Sequence, residues 1–532
     1  MTTTAPDWVS FDARKTQGLD LLGLRAPVQA IGNELLNGLT SVTPKVRYLT
    51  VITWITWRYA QSRLPDELGA FSKFAAAQEA VVVMANLLHS RAIGNLVGRD
   101  KAVPLLDSDK STLPLEPLVQ NIATNIYASA ARQLRLTYQK DAGLHGLSRE
   151  RGLPIALAFD ELVSRTTYGS RLAGLPTINH IKREDLEELS KTLLVDRIPK
   201  REKIDLINAI MPAEPMDSGE QRRLATFALF LWLTVRKRSP IDEYDVFAAA
   251  REPPDRIPNE FRSALDGWLD YTIRDAIAAV HEAAFEAVMR EVDTASARRR
   301  APALATEVVA ALLSAIEEHD DALRRIGLLS QGETVRQVTF AQMFERVERA
   351  TADQVNVVNG LRRWRGGLSE TQLYNDALDT GTGAVALLPI AWCLVARRTS
   401  SMPAGASPRN VVLLGAFFQL GIAAVVLPKI EEFRQSGLGY LDVMAELITR
   451  TVQQHVRVAW SRFAAPQGKD VAVLAADSET WARHNTFRAG RTNSRLPVAI
   501  DWLAQLGLTN EDGITPEGAA VLKSAVSTLA KH

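Results

Sequence analysis

The chain has 532 residues, 46% hydrophobic and 23% charged, with 62 basic against 61 acidic side chains for a formal net charge of +1. That composition excludes a disordered polyelectrolyte, and the near-zero charge excludes a global basic field, so any nucleic-acid contact has to come from a local patch. A chain of this length exceeds one core, and several domains are expected.

From the N-terminus, "MTTTAPDWVSFDARK" lacks the basic and then apolar stretches of a signal peptide. With Cys393 as the single cysteine, which rules out a disulfide framework and a cysteine metal site, a cytoplasmic location is expected. Asn37 to Gln61 is dense in aromatics, with Tyr48, Trp54, Trp57 and Tyr59 beside Arg47 and Arg58. Such a set can stack bases. Trp54 and Trp57, however, share a helical face with Leu49, Val51, Ile52 and Ile55, and a core helix with paired or snorkelling arginines is the favoured reading.

Helical spacing continues. Leu186, Leu189, Leu193 and Leu194 fall on one face. Glu260 to Asp293 carries a stripe through Phe261, Leu265, Trp268, Leu269, Ile273, Ile277, Val280, Ala284, Phe285 and Val288. "PALATEVVAALLSAIEEHDDALRRIGLL" predicts another helix with Gly327 at its cap. Strand alternation is scarce, with "RQVTF" near 336 and "DVAVLAA" near 470 as the candidates. Val411 to Leu427 runs 17 residues broken by Gln419 alone. It matches the lower limit of a membrane span, as does a helix buried on all sides; with no second full span, an interior helix and no membrane partner are expected. Breaks at Met211–Gln221, Thr399–Asn410 and Ala464–Asp470 suggest domains at 1–212, 213–400, 401–465 and 466–532.

Catalytic motifs are missing. No phosphate-binding Gly-x4-Gly-Lys-Ser/Thr loop is present, and the Gly-x-Gly in Asp379 to Leu388 follows no strand. His281 beside Glu282, and His319 beside Glu318 and Asp321, lack the spacing of converging ligands, so neither metal nor cofactor is expected. Cys393 lies in an apolar run, and no nucleophile elbow occurs. No catalytic residue is assigned.

Basic clusters remain. Arg362, Arg363 and Arg365 surround Trp364. They suit phosphate contact with a stacking ring, or equally a helix end capped by Gly366. Arg236, Lys237 and Arg238 read as cations offsetting a helix C-terminus. Near the C-terminus, Leu496, Ile500 and Leu503 follow helical spacing up to a C-cap at Gly507. Asp512–Gly513 marks a hairpin. Thr515 is an N-cap followed by Pro516 and Glu517.

This helix, short hairpin and Thr-Pro-Glu-Gly helix resemble the winged-helix module, with "SETWARHNTFRAGRTNSR" supplying the preceding helix and turn. The resemblance implies a recognition helix ending at Gly507, with Arg483, Arg488, Arg491, Asn493 and Arg495 at or before its DNA-facing end. Protein contact is the competing use of such a module. Leu19 to Gln61 and Trp268 to Phe285 also resemble uncharacterised helical proteins of bacterial anti-phage defence islands, which implies partners such as a nuclease or helicase from the same operon.

The expectation is therefore a mainly α, multi-domain helical protein with a small C-terminal winged-helix-like α+β module. Its expected role is that of a non-catalytic, nucleic-acid-associated adaptor or sensor subunit contacting DNA. An enzyme (nuclease-like or nucleotide-dependent) with a site assembled from distant residues, and a purely protein–protein scaffold, are the alternatives.

Overall fold

The structure, a computed structural model, describes residues 20–140, 144–174, 178–249, 256–325, 327–352, 357–358, 361–362, 422–464, 472–490, 492 and 494–531. The described chain is mainly helical, as its periodicity predicts. It divides into two compact units, the first comprising residues 1–32, 244–257 and 265–493, the second 33–243, 258–264 and 494–532.

The helices that matter below are α1 (Arg25–Leu35), α2 (Tyr48–Gln61), α3 (Leu68–His89), α4 (Ala123–Gln133), α5 (Gly152–Ser164), α6 (Lys200–Ile210) and α7 (Ser218–Lys237). They continue with α8 (Asn259–Arg299), α9 (Ala305–Glu317), α10 (Phe340–Ala352), α11 (Ile422–Gln435), α12 (Tyr440–Ala464), α13 (Leu496–Gln505) and α14 (Pro516–Leu529). The short strands are β1 (Ala303–Leu304), β2 (Val357–Val358), β3 (Leu361–Arg362), β4 (Leu474–Ala476), β5 (Thr480–Arg483), β6 (Thr509–Asn510) and β7 (Gly513–Ile514).

In the second unit α2 packs against α4 and α5. Every residue from Tyr48 to Thr56 is buried, so the helix is central rather than amphipathic. Two of its threonines are satisfied within the helix: the Thr53 and Thr56 hydroxyls donate to the Thr50 and Ile52 carbonyls, both at 2.8 Å. Trp54 stacks near Phe159 and donates its Nε1–H to Asp160 at 2.9 Å. Arg47 donates to both Glu202 oxygens, at 2.9 and 2.6 Å, and to the Leu194 carbonyl at 2.6 Å. Arg58 pairs with Asp160 at 2.6 Å. The core reading of this aromatic–basic stretch holds.

Among the described residues, α3 is the one helix long and apolar enough to cross a membrane, and 72% of its most apolar window is buried inside the protein. Its polar residues work internally. Asn86 bridges Leu193 O and Val195 N at 2.7 and 2.8 Å, and Glu79 accepts the Ala123 and Thr124 N–H groups, both at 2.6 Å, at the start of α4. The 17-residue run from Val411 lies outside the described residues up to 421, and from Ile422 it forms the start of α11.

The C-terminal elements belong here too. Gly507 takes φ 70° after α13, the one region a left-handed cap requires. Asn510 pairs with Gly513 across the β6–β7 hairpin, and the Thr515 hydroxyl accepts Gly518 N–H at 3.1 Å to cap α14. These are the local features the sequence predicts. Trp502, fully buried, donates to the Thr43 carbonyl at 2.9 Å, while Gln505 accepts Val46 N–H at 3.0 Å and donates to the Pro44 carbonyl at 2.7 Å. α14 and β7 lie against α7. The helix expected over residues 478–495 is not formed. Among the described residues of this stretch β5 is the one regular element, and it sits between β1 and β4 in the first unit. The helix–hairpin–helix is thus an integral layer of the second unit.

In the first unit α8 runs longer than its apolar stripe predicts, from Asn259 to Arg299, its first six residues falling in the second unit. The helix expected after Pro302 is broken at Glu318 and His319 into α9 and a second short helix, Asp320–Arg325, with Gly327 at φ 77°. "RQVTF" is not a strand. Val335–Gln337 form a 3-10 turn, because Thr334 and Gln337 close a reciprocal capping box. An isolated bridge then joins Thr339, just before α10, to Gly439, just before α12. "DVAVLAA" supplies β4, as expected.

Candidate nucleic-acid interface

The arginine-bearing stretch before α13 is laid out by the sheet β1–β5–β4. β5 pairs antiparallel with β4 (Leu474 opposite Arg483) and with β1 (Ala303 opposite Trp481). The turn feeding β5 is built on Asp477, whose carboxylate accepts Glu479 N–H at 2.8 Å and Thr480 N–H at 2.5 Å. The Thr480 and Glu479 amides hold that carboxyl below the usual aspartate range.

Past β5 the chain runs along α8. Phe487 packs on Phe285 with ring centroids 5.8 Å apart, and Ala489 N–H donates to Glu286 at 2.6 Å. Thr492 N–H donates to Asp275 at 2.9 Å. Arg25, at the start of α1, locks the end of this run. It donates to both Glu282 oxygens at 2.7 Å, to the Thr492 hydroxyl at 2.6 Å, and to the Gly490 carbonyl. Asp20 accepts the Arg25 and Ala26 N–H groups at 3.1 and 3.0 Å, capping α1.

Burial opposes the Arg25 charge, but the Glu282 hydrogen bonds and the carboxylates of Glu282, Asp275 and Asp20 outweigh it and raise its affinity for the proton. Burial pushes the Glu282 carboxyl up as well, against the pull of Arg25. A bidentate guanidinium at 2.7 Å is a contact between ions, so the ionised pair is the state this geometry holds. The stretches Leu19–Gln61 and Trp268–Phe285 therefore meet through Arg25, Asp275 and Glu282.

The expected binding residues have different fates. Arg483 pairs with Asp293 on α8 and donates its Nε–H to the Asn485 carbonyl at 2.9 Å. Arg488 is exposed, with no hydrogen-bond or ion-pair partner among the described residues. Arg495, in the second unit, donates to Asn33 Oδ1 and the Leu39 carbonyl, so it fastens α13 to the chain before α2. Arg362 sits in the β2–β3 hairpin, opposite Val357. Arg363, Arg365, Arg491 and Asn493 lie outside the described residues.

Two groups escaped the sequence reading. Arg298, Arg299 and Arg300 end α8, where cations offset the helix dipole; the run "ARRRA" was the signal. Arg298 pairs with Glu291 at 2.9 Å and Arg299 with Glu307 at 3.6 Å, while Arg300 is exposed at φ 56°. The other group is the end of α12, where Trp460 and Phe463 face solvent, one turn beyond Arg457.

Among the described residues no group of three His, Cys, Asp or Glu side chains is placed to hold a metal ion. His281 and His455 are both buried, and burial lowers each to about 4. His455 is a structural clip. Its Nδ1 faces the Leu21 carbonyl at 3.2 Å and so carries the proton, which leaves Nε2 to accept Val473 N–H at 3.2 Å. Compared with protein-family models, with characterised proteins and with solved structures, the chain shows no match.

Proposed function

We propose that this protein is a non-catalytic, nucleic-acid-associated adaptor or sensor subunit, gripping the phosphate backbone with an arginine edge of its first unit. The observation that carries the reading is the treatment of the 484–492 run. The His484 and Asn485 N–H groups donate to the Val473 carbonyl on one side and Ala489 N–H donates to Glu286 on the other, while Arg488 between them is exposed and has no partner among the described residues. Fixing the backbone on both sides of an exposed guanidinium lowers the ordering cost of a phosphate contact. Arg483, just before this run, is engaged with Asp293, whereas Arg300, one residue past α8, is a second exposed guanidinium of the same unit and is the other phosphate contact proposed.

The DNA contact is placed there and not on α13. The solvent side of α13, the hairpin and α14 shows Asp501, Glu511, Asp512 and Glu517 against the single cation Lys523, a net negative set, and Arg495 is already engaged with Asn33 and Leu39. A polyanion is repelled by that face. Association with the other subunits of a bacterial defence complex, a nuclease or helicase among them, is proposed from the resemblance of the two stretches that meet at Arg25.

The test is the affinity of the full chain for duplex DNA across a salt series, for the wild type and for a combined Arg300→Ala, Arg488→Ala variant. The wild type should bind with a clear inverse salt dependence. The variant should lose affinity alike for every sequence, and its log–log slope should flatten by about one unit per lost contact. Unchanged affinity and slope in the variant, or no binding by the wild type, contradict the reading.

A further inference from the structure

The two most exposed large hydrophobic side chains among the described residues are Trp460, at 69%, and Phe463, at 61%. They stand one turn apart on α12, with ring centroids 6.4 Å from each other and planes tilted by 36°. Chance exposure of single apolar residues is ordinary; two aromatics side by side form a surface.

The rest of α12 explains why these rings are held outward. From Tyr440 to Ala459 the helix buries Tyr440, Val443, Met444, Ile448, Val452 and Val458. It is pinned near its end by Gln454, which donates to the Leu22 carbonyl at 2.9 Å, and by the His455 clip. The final turn projects beyond that anchorage. Arg457, half-buried and three residues before Trp460, has no partner among the described residues. From Leu447 to Lys469 the sequence has no acidic residue and carries Arg450, Arg457, Arg462 and Lys469. Arg450 is used by Glu446 at the other end.

We infer that this end of α12 is a stacking surface for a single-stranded polynucleotide, a deepening that rests on the nucleic-acid reading above. Exposed π faces beside the Arg457 guanidinium complement a polyanion whose bases are open, and each base on an aromatic ring adds stacking without requiring a sequence. A duplex keeps its bases stacked on one another and offers these rings nothing. An apolar protein partner would cover the rings equally well, but it gives no use to an acid-free run with an unpaired arginine; that unmatched charge favours the polynucleotide.

The experiment is binding of the full chain to labelled oligo-dT, oligo-rU and a duplex, for the wild type and for W460A, F463A and R457Q. All three sites are at least partly exposed, and circular dichroism checks that each variant is folded. The wild type should favour the single strands over the duplex. W460A and F463A should each weaken single-strand binding by about fivefold or more and leave duplex binding alone. R457Q should flatten the single-strand salt slope by about 0.7. The dT and rU arms show whether DNA or RNA is preferred.

Single-strand affinity unchanged in W460A and F463A overturns the inference, as does equal loss on the duplex or a change of oligomeric state with no change in binding. The two readings fail separately. If the arginine-edge variant loses duplex binding while W460A is silent, the inference falls and the proposed function stands. If W460A loses single strands while the edge variant is silent, the arginine edge falls and the stacking surface stands. If no oligonucleotide binds, both fall.

Discussion

Two stretches of this chain combine tryptophan, a second aromatic and arginine on a helix, and they have opposite fates. In α2, Arg47 is fully buried against Glu202 and Trp54 donates to Asp160. At the end of α12, Trp460 and Phe463 are exposed and Arg457 has no partner among the described residues. The residue types are the same. What differs is whether another part of the chain supplies acids and apolar surface to meet them. Around α2 that supply comes from Asp160, 106 residues beyond Trp54, and Glu202, 155 residues beyond Arg47. A buried guanidinium is tolerable only when so paired, and an exposed one without an acid is available to something else.

The largest effect that distinguishes the two stretches is on stability. Trp54→Ala empties a packed site beside Phe159 and removes one of the donors to Asp160, so chemical denaturation should show a loss of about 3–5 kcal/mol. A loss under about 1 kcal/mol would mean that α2 is not the core helix described.

An intermediate effect concerns acid. α2 is held by ion pairs, whereas α12 is rooted by a neutral histidine. His455 and His281 both fall from 6.5 to about 4 on folding, because burial disfavours their charged forms. A depressed folded value means that the unfolded chain binds the extra protons between those limits. Their contribution is complete above pH 6.5 and is lost as pH falls toward 4. Stability of the first unit, followed by amide exchange of α12 or by denaturation at stepped pH, should decline across that window. His455→Gln should flatten the profile. A wild-type profile flat from pH 7 to pH 4 would contradict the clip.

The smallest effect belongs to the α12 surface. Trp460→Ala should change stability by no more than about 0.5 kcal/mol, since the ring is 69% exposed. A Trp460→Ala loss as large as that of Trp54→Ala would show that the α12 rings are core after all.

How far the sequence could be read follows the same division between local and distant causes. Gly507, the Asp512–Gly513 hairpin and the Thr515 cap were legible because each is decided by residues within one turn of itself. The long stripe of α8 was legible because it repeats. The 478–495 stretch was not, since β5 is a strand by virtue of Ala303 and Leu304, which no local pattern connects to Trp481. "RQVTF" misled for the opposite reason: alternation suggested a strand, while the Thr334–Gln337 capping box closed a turn. The candidate site was legible in part. Its arginines are visible in the sequence, but whether each is spent on Asp293, on Asn33 and Leu39, or left exposed is decided by chain hundreds of residues away.

Photo-crosslinking of the full chain to single-stranded and duplex DNA, with the linked peptides mapped by mass spectrometry, tests the central claim most directly. The account predicts crosslinks in residues 457–463 with single strands and in residues 483–490 with the duplex, and none in residues 47–58. Crosslinks confined to residues 496–529, or absent from both predicted segments, would contradict it.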